Sequence, residues 1–257
     1  MSREFKSKSR GCYQAQGKTQ SLVLSGAPVV GSAAPLLVAT PQKAIMLGVL
    51  NIESSQIGNV TDITVMGERL MVSNATAPLE MFNNLTTDPN ETYAGFTIGG
   101  GKNIAINCTL AGVGDTSFGW FCDPITREVP NEKEGEFANW IYGLGEINII
   151  AGATGVLVGV SNRPCTLGKL LLANHSAVAI PDRNLIVTSV VVAGDELLAG
   201  DGTQQVPLSN FFGTSQASTG LDLNYRIPYN ANVSITVSNV DAALAATVAG
   251  GVFCRAY

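Results

Sequence analysis

The chain has 257 residues, enough for one large domain or two small ones, and only 14% of them are charged, against roughly 25% in typical soluble domains. The net charge of −5 argues against a general nucleic-acid binder, and every apolar run is broken too early for a membrane-spanning helix. A soluble chain this poor in charge is expected to bury much of its outer surface against partners.

The first 20 residues form a basic arm. They have a net charge of +4, so the remaining 237 residues carry −9 of the total of −5. We predict that the arm contacts an anionic surface, lipid headgroups or a nucleic acid, through Arg3, Lys6, Lys8 and Arg10. A disordered tail is the alternative interpretation.

The segment 21–40 that follows the arm is apolar but interrupted. Pro28, Pro35, Gly26 and Gly31 break it at short intervals. We therefore predict two short strands with a turn rather than a secretory signal, whose apolar region would be continuous.

Four segments of the first half recur, in the same order, in the second half. The offset between partners rises only from 127 to 132 residues, so small insertions account for the differences. The preserved order and nearly constant offset indicate a tandem duplication in which the two halves end on equivalent strands. The pairs are ITVMGERL (63–70) with VVVAGDEL (190–197), PLEMF (78–82) with PLSNF (207–211), FTIGGGKNIAI (96–106) with YRIPYNANVSI (225–235), and GWFC (119–122) with GVFC (251–254).

Each half contains short β-branched or aromatic segments bounded by Gly, Asn, Pro or Asp, which is typical of strands. The motifs MGER and AGDE predict matching hairpins, and GGGK and YNAN predict a second matching pair of hairpins. The PLEMF and PLSNF motifs each predict one short helical turn that closes one end of a sandwich. The sequence therefore predicts a mostly-β domain of about 100 residues, used twice.

One longer helix is predicted between the copies. In EGEFANWIYGL (134–144), Phe137, Trp140, Ile141 and Leu144 follow helical spacing. We accordingly expect a first domain over 21–125, a linker with this helix over 126–145, and a second domain over 146–257.

Sets of catalytic or metal-binding residues are hard to assemble from this sequence. The only histidine is His175, for which we favour a structural role, because a tandem β-sandwich metalloenzyme needs several histidines in each copy. The five cysteines form no CxxC pair, and GGGK lacks the Ser or Thr of a phosphate loop. We therefore expect no catalytic, cofactor-binding or metal-binding residues.

Three weaker alternatives involve specific side chains. Asp195, Glu196 and Asp201 could bind calcium through hard oxygen ligands, although their spacing matches no known calcium loop. Glu68 with Asp195 or Glu196 could serve as paired carboxylates of a hydrolase. The aromatic cluster SFGWF (117–121) could stack on a sugar, but we predict that Phe118 and Trp120 face the core and Phe121 faces away.

The duplicated blocks ITVMGERL…PLEMF and VVVAGDEL…PLSNF, with few charges and a basic arm, resemble one family. It comprises the double jelly-roll major capsid proteins of tailless icosahedral bacteriophages with an internal membrane, the lineage of the adenovirus hexon. The resemblance covers roughly residues 40–257 and rests on architecture and duplication rather than on a diagnostic motif.

The resemblance implies an all-β fold of two tandem eight-stranded antiparallel jelly rolls with short helical segments. It also implies a homotrimer whose six jelly rolls form a pseudo-hexagonal capsomer of an icosahedral virion shell, assembled in the host cytoplasm. Its partners would be neighbouring capsomers, minor capsid or penton proteins and the internal membrane, with no sequence-specific nucleic acid. The arm would face the interior. A non-enzymatic two-domain binding module, such as a virion spike, an adhesin or a carbohydrate-binding protein, is the alternative.

Overall fold

The computed structural model describes residues 22–83, 93–124, 139–198, 205–211 and 221–255. Over these residues the regular structure is β-strand apart from three short 3-10 helices, and every pairing between the named strands is antiparallel. The predicted all-β class is therefore confirmed.

The first half forms a sandwich of two sheets, which we call sandwich 1. One sheet has the order β1-β10-β4-β8 with β2 also beside β10, and the other has the order β3-β9-β5-β6 with β7 also beside β5. The strands are β1 (Leu22–Leu24), β2 (Val29–Ser32), β3 (Leu36–Ala39), β4 (Ile45–Ser54), β5 (Gly58–Val65), β6 (Glu68–Arg69), β7 (Ala77–Pro78), β8 (Tyr93–Ile98), β9 (Ile104–Leu110) and β10 (Gly114–Pro124).

The second half forms sandwich 2 on the same plan. Its sheets have the orders β11-β19-β13-β17 and β12-β18-β14-β15, with β16 also beside β14. The strands are β11 (Asn139–Ile149), β12 (Thr154–Val160), β13 (Cys165–Asn174), β14 (Leu185–Val192), β15 (Asp195–Glu196), β16 (Val206–Pro207), β17 (Leu221–Ile227), β18 (Asn232–Asn239) and β19 (Ala246–Arg255).

The strand order of both sandwiches is that of a jelly roll. Taking β1 with β2, and β6 with β7, as interrupted strands gives eight strands in sandwich 1, and β15 with β16 does the same in sandwich 2. Numbered within each copy, the two sheets then have the orders 1-8-3-6 and 2-7-4-5 in both sandwiches, which is the double Greek key. The two tandem, internally duplicated jelly rolls are confirmed by this connectivity.

The duplication extends to turns and irregularities. The hairpins at MGER and AGDE are confirmed, and both use a non-glycine residue at positive φ, Met66 at 55° and Ala193 at 51°, each followed by glycine. Short 3-10 helices cover Leu79–Phe82 and Leu208–Asn210, where helical turns were predicted. Each copy therefore retains the local chemistry of the other as well as its topology.

Two predictions about local structure are wrong. Residues 139–144 belong to strand β11 instead of a helix, and residues 134–138 lie outside the described residues. Leu144 is buried beside Leu157 in the core of sandwich 2, and Ile141 is buried where sandwich 1 covers the outer edge of β11, so apolar residues at this spacing do not imply a helix. The domain limits stay a prediction, but this strand places 139–145 in sandwich 2 rather than in a linker.

The turns at GGGK and YNAN do not close hairpins. Strand β8 pairs with β4, whereas β9 pairs with β3 and β5, so the turn between them crosses from one sheet to the other. In sandwich 2, β17 pairs with β13 and β18 pairs with β12 and β14, so the turn between β17 and β18 crosses in the same way. The segment 21–40 is strand-forming as predicted, but over its described part it gives three short strands instead of two.

The core of sandwich 1 centres on Trp120, which is fully buried and donates from Nε1 to the carbonyl of Gly48 at 2.9 Å. Phe118 faces the same core, while Phe121 is 42% exposed on the other side, as the alternation predicted. The aromatic cluster therefore stabilises the sandwich through packing. Because Trp120 is fully buried, it cannot stack on a sugar, as the alternative interpretation required.

Candidate functional site: the junction between the two sandwiches

The four residues predicted to make the interior contact, Arg3, Lys6, Lys8 and Arg10, lie outside the described residues. The structure does show where the described chain starts. Leu22 of β1 pairs with Cys122, close to the end of β10 that is far from its β9 connection. We call this end of the two sandwiches the base, and the opposite end, where β9 turns into β10 and β18 into β19, the crown.

The two sandwiches lie side by side with base beside base and crown beside crown. At the base end, Leu70 of sandwich 1 meets Ile141 of sandwich 2, and at the crown end Glu80 meets His175. The contact is heterologous, because the β6–β7 side of sandwich 1 packs against the β11–β12 side of sandwich 2.

A backbone ladder forms the centre of this junction. The amide of Ile141 donates to the carbonyl of Leu70 at 3.0 Å, and the amide of Val72 donates to the carbonyl of Ile141 at 2.8 Å. Farther along, the amide of Gly145 donates to the carbonyl of Thr76 at 2.9 Å. The segment 70–76 thereby adds to the outer edge of β11 and satisfies polar groups that an edge strand leaves open.

Gly143 allows the close approach of this segment. A Cβ at this position would lie 2.6 Å from the carbonyl carbon of Thr76, closer than real Cβ contacts come. The hydroxyl of Ser73 donates to the carbonyl of Gly143 at 2.8 Å and is itself buried. Only glycine fits here without displacing the backbone of sandwich 1.

His175 links the sandwiches at the crown end. Its Nδ1 lies 2.7 Å from Oε2 of Glu146, and its Nε2 lies 3.1 Å from Oε2 of Glu80 in sandwich 1. The same oxygen of Glu146 accepts a hydrogen bond from the side-chain Nδ2 of Asn59, also in sandwich 1, at 2.8 Å. The imidazole side chain is only 2% exposed, so it lies buried between two carboxylates.

The contacts of His175 decide the direction in which its pKa is shifted. Burial alone would lower its pKa, but the hydrogen bonds and negative charges of Glu80 and Glu146 outweigh burial and raise the pKa above its ordinary value. Both ring nitrogens are used by carboxylates, and none of the described residues form a metal-binding group. The cluster therefore acts as an ion-paired clamp across the junction, in keeping with the structural role expected for His175.

A second polar contact closes the base end of the junction. The guanidinium of Arg163 in sandwich 2 lies 5.0 Å from the ring centroid of Trp140 and 3.9 Å from Glu68 of sandwich 1. Glu68 is 63% exposed, so the ion pair contributes little, whereas the stacked cation adds to the packing of Trp140.

The other acids proposed as ligands have structural partners. Asp195 accepts a hydrogen bond from the hydroxyl of Tyr225, and Glu196 accepts from the hydroxyl of Ser189 and from the amide of Val190. Glu68 lies in the hairpin of the other copy, and Asp201 lies outside the described residues. The structure does not bring these carboxylates together into one site.

Charge is distributed unevenly between base and crown. Of the eight Lys and Arg residues that the structure describes, six lie at the base, whereas five of the twelve described acids lie at the crown. The six are Lys43, Arg69, Lys102, Arg163, Arg226 and Arg255, and the five are Glu53, Glu80, Asp115, Asp182 and Asp241. The base also has Glu68, Asp123, Asp195 and Glu196, and Asp62 pairs with Arg69 at 2.9 Å, so its net charge is about +1. The crown has about −4 with Arg183, if His175 and Glu146 are counted together as one neutral pair.

No family model and no curated protein matches the chain. Among solved structures, the chain is similar to the major capsid protein P2 of bacteriophage PM2, with 10% sequence identity and a TM-score of 0.41 over 92% of this chain and 98% of that chain. Because this similarity is weak, the fold assignment rests on the strand order of the two sandwiches. Over the described residues, no helix is long and apolar enough to cross a membrane.

Proposed function

We propose that the chain is a structural major capsid protein of a tailless icosahedral bacteriophage, acting without enzymatic chemistry. Three chains form a pseudo-hexagonal capsomer of six jelly rolls, and capsomers tile the shell of the virion. The observation that carries the proposal is the heterologous junction, in which two jelly rolls of identical strand order pack side by side with their bases at the same end.

A heterologous contact between equivalent units can be repeated, and rings result where the rotation closes. Two copies of one sandwich in a chain supply two of the six positions of such a ring, so three chains complete it. The low content of charged residues supports the same proposal, because obligate interfaces are large and depleted in charge.

The base faces the interior of the shell in this proposal. The positive arm enters β1 at the base, and the described basic side chains are concentrated there. Arg3, Lys6, Lys8 and Arg10 would add to Lys43 and Lys102 in contacting the headgroups of an internal membrane. The crown, with its excess of acids, would face outward, and the edges of the capsomer would meet neighbouring capsomers and penton proteins.

The mass of the purified protein in solution tests the trimer. Light scattering over a range of concentrations should give about 80 kDa, three times the 26.8 kDa of the chain. A monomer at every concentration would contradict the proposal and would favour the two-domain binding module instead.

A further inference from the structure

The duplicated edge strands β11 and β1 differ in what covers them. Ile141 of β11 pairs with Phe253 of β19, and Val23 of β1 pairs with Phe121 of β10, at the same point of the two duplicated sheets. Ile141 is 2% exposed, whereas Val23 is 58% exposed. Met71 of sandwich 1 forms a bridge to Ile141, and within the described ranges no segment forms such a bridge to Val23.

The equivalence of the two positions holds in register as well as in sequence. Strand β10 shifts its register against β4 between Trp120 and Cys122, and β19 shifts against β13 between Val252 and Cys254. The same irregularity therefore lies beside Val23 and beside Ile141. By this equivalence, Val23 directs its amide and carbonyl to the open edge, as Ile141 directs its own groups to segment 70–76.

Sandwich 2 contains the start of the matching segment. The amide of Leu70 donates to Ile63 at 2.9 Å, and the amide of Leu197 donates to Val190 at 2.8 Å, so the chain leaves both hairpins in the same way. Leu197 and Leu198 thus correspond to Leu70 and Met71. Leu70 and Met71 are buried at the junction, whereas Leu197 and Leu198 are only half-buried.

We propose that the open edge of β1 is the docking site for a second copy of this chain, whose sandwich 2 adds to it as sandwich 1 adds to β11. Val23 takes the place of Ile141, and Leu198 of the neighbouring chain takes the place of Met71. The contact between chains therefore repeats the contact within a chain. This inference rests on the proposed assembly and names the surfaces that form it.

The surroundings of Val23 suit an apolar neighbour. Leu22 is 39% exposed and Phe121 is 42% exposed on the same strand pair, and no charged residue lies in β1. An open edge with exposed apolar side chains is a template for adding another strand. A head-to-tail contact uses different surfaces on the two chains, so one chain carries both and each end of an assembly can extend until the ring closes.

A charge at either surface tests the proposal. Val23→Asp and Leu198→Asp should each reduce the mass in light scattering from trimer to monomer, while circular dichroism confirms that the sandwiches remain folded. The control is Val113→Asp, which changes a valine that is 69% exposed at the crown of sandwich 1 and should leave the trimer intact. A trimer that survives both test substitutions would overturn this inference and leave the proposed assembly standing. A wild-type protein that is always monomeric would overturn both.

Cross-linking tests the same contact without weakening it. Chains with Val23→Cys are mixed with chains carrying Leu198→Cys and oxidised, with Cys12→Ser in both because Cys12 lies outside the described residues. The other four cysteines are buried and should not form disulfides between chains. We expect a disulfide-linked dimer only in the mixture, since a disulfide needs Cα atoms within about 7 Å. Equal cross-linking by Val113→Cys chains, or none in a mixture that still forms trimers, would contradict the predicted contact.

Discussion

Nε2 of His175 in sandwich 2 lies 3.1 Å from Oε2 of Glu80 in sandwich 1, joining residues 95 positions apart in the chain. Together with Glu146, this pair makes the junction sensitive to pH. A group whose pKa is raised in the folded state stabilises that state at low pH, and the stabilisation is lost as the pH rises through the raised value. The clamp is therefore strongest in mildly acidic solution and weakens in alkaline solution.

His175→Gln tests this dependence. We expect the substitution to lower the free energy of unfolding by about 2 kcal/mol near pH 6, because it removes the charge-assisted hydrogen bonds of the imidazole. Near pH 9 we expect a clearly smaller loss. Chemical denaturation of both proteins at the two pH values gives the difference. An equal loss at both values would show that the imidazole acts only by packing.

Gly143→Ala should disturb the junction through the backbone. The new methyl group would collide with the carbonyls of Ala75 and Thr76, and the carbonyl of Thr76 is held by the amide of Gly145 in β11. Overpacking of this kind costs about 1–3 kcal/mol. The matched control is Gly99→Ala, where the nearest atom is Cγ of Lys102 at 3.9 Å. In thermal unfolding, Gly143→Ala should have a lower midpoint temperature than Gly99→Ala. Equal midpoint temperatures would contradict the close approach of Thr76 to Gly143.

Ala193→Gly should stabilise the chain. Ala193 has φ of 51° in its hairpin, a conformation that costs a residue with a Cβ about 1–2 kcal/mol. Part of this gain is lost to the greater freedom of glycine in the unfolded chain, which leaves about 0.5–1 kcal/mol. Ala105→Gly in strand β9 is the control and should lower stability. A lower midpoint for Ala193→Gly in denaturant would contradict the assigned turn.

The base should bind anionic lipid surfaces. Sedimentation with vesicles containing phosphatidylserine should pull down the wild-type protein at low salt and release it at high salt. Replacing Arg3, Lys6, Lys8 and Arg10 by serine, or Lys43 and Lys102 by glutamate, should reduce the bound fraction several-fold. Arg183→Glu at the crown is the control and should leave binding unchanged. Binding that is equal on neutral vesicles would contradict an electrostatic contact.

The sequence was sufficient to predict the duplication and the fold, because strand patterns and turn motifs repeat in a fixed order. The hairpins at Met66 and Ala193 were found for the same reason. The helix prediction at Trp140 and Ile141 failed because the covered part of β11 is buried at every position from Trp140 to Leu144, and spacing alone cannot separate such a run from a helix.

The junction itself could not be derived from the sequence. His175 and Glu146 lie outside the duplicated motifs, and Glu80 of PLEMF has Ser209 as its counterpart in PLSNF, so no repeated pattern pointed to these three residues. Gly143 lies within the segment for which a helix was predicted, whereas its role depends on the approach of Thr76 from the other sandwich. Contacts between two duplicated units depend on how the units pack, and local patterns do not encode that arrangement.

The outline of the assembled particle tests the central claim most directly. Averaged electron-microscope projections of the purified protein should show a ring of six lobes of similar size, with three-fold symmetry and a pseudo-hexagonal outline. Isolated two-lobed particles, or oligomers in which the lobes do not close into a ring, would contradict a capsomer built by repeating the junction between the two sandwiches.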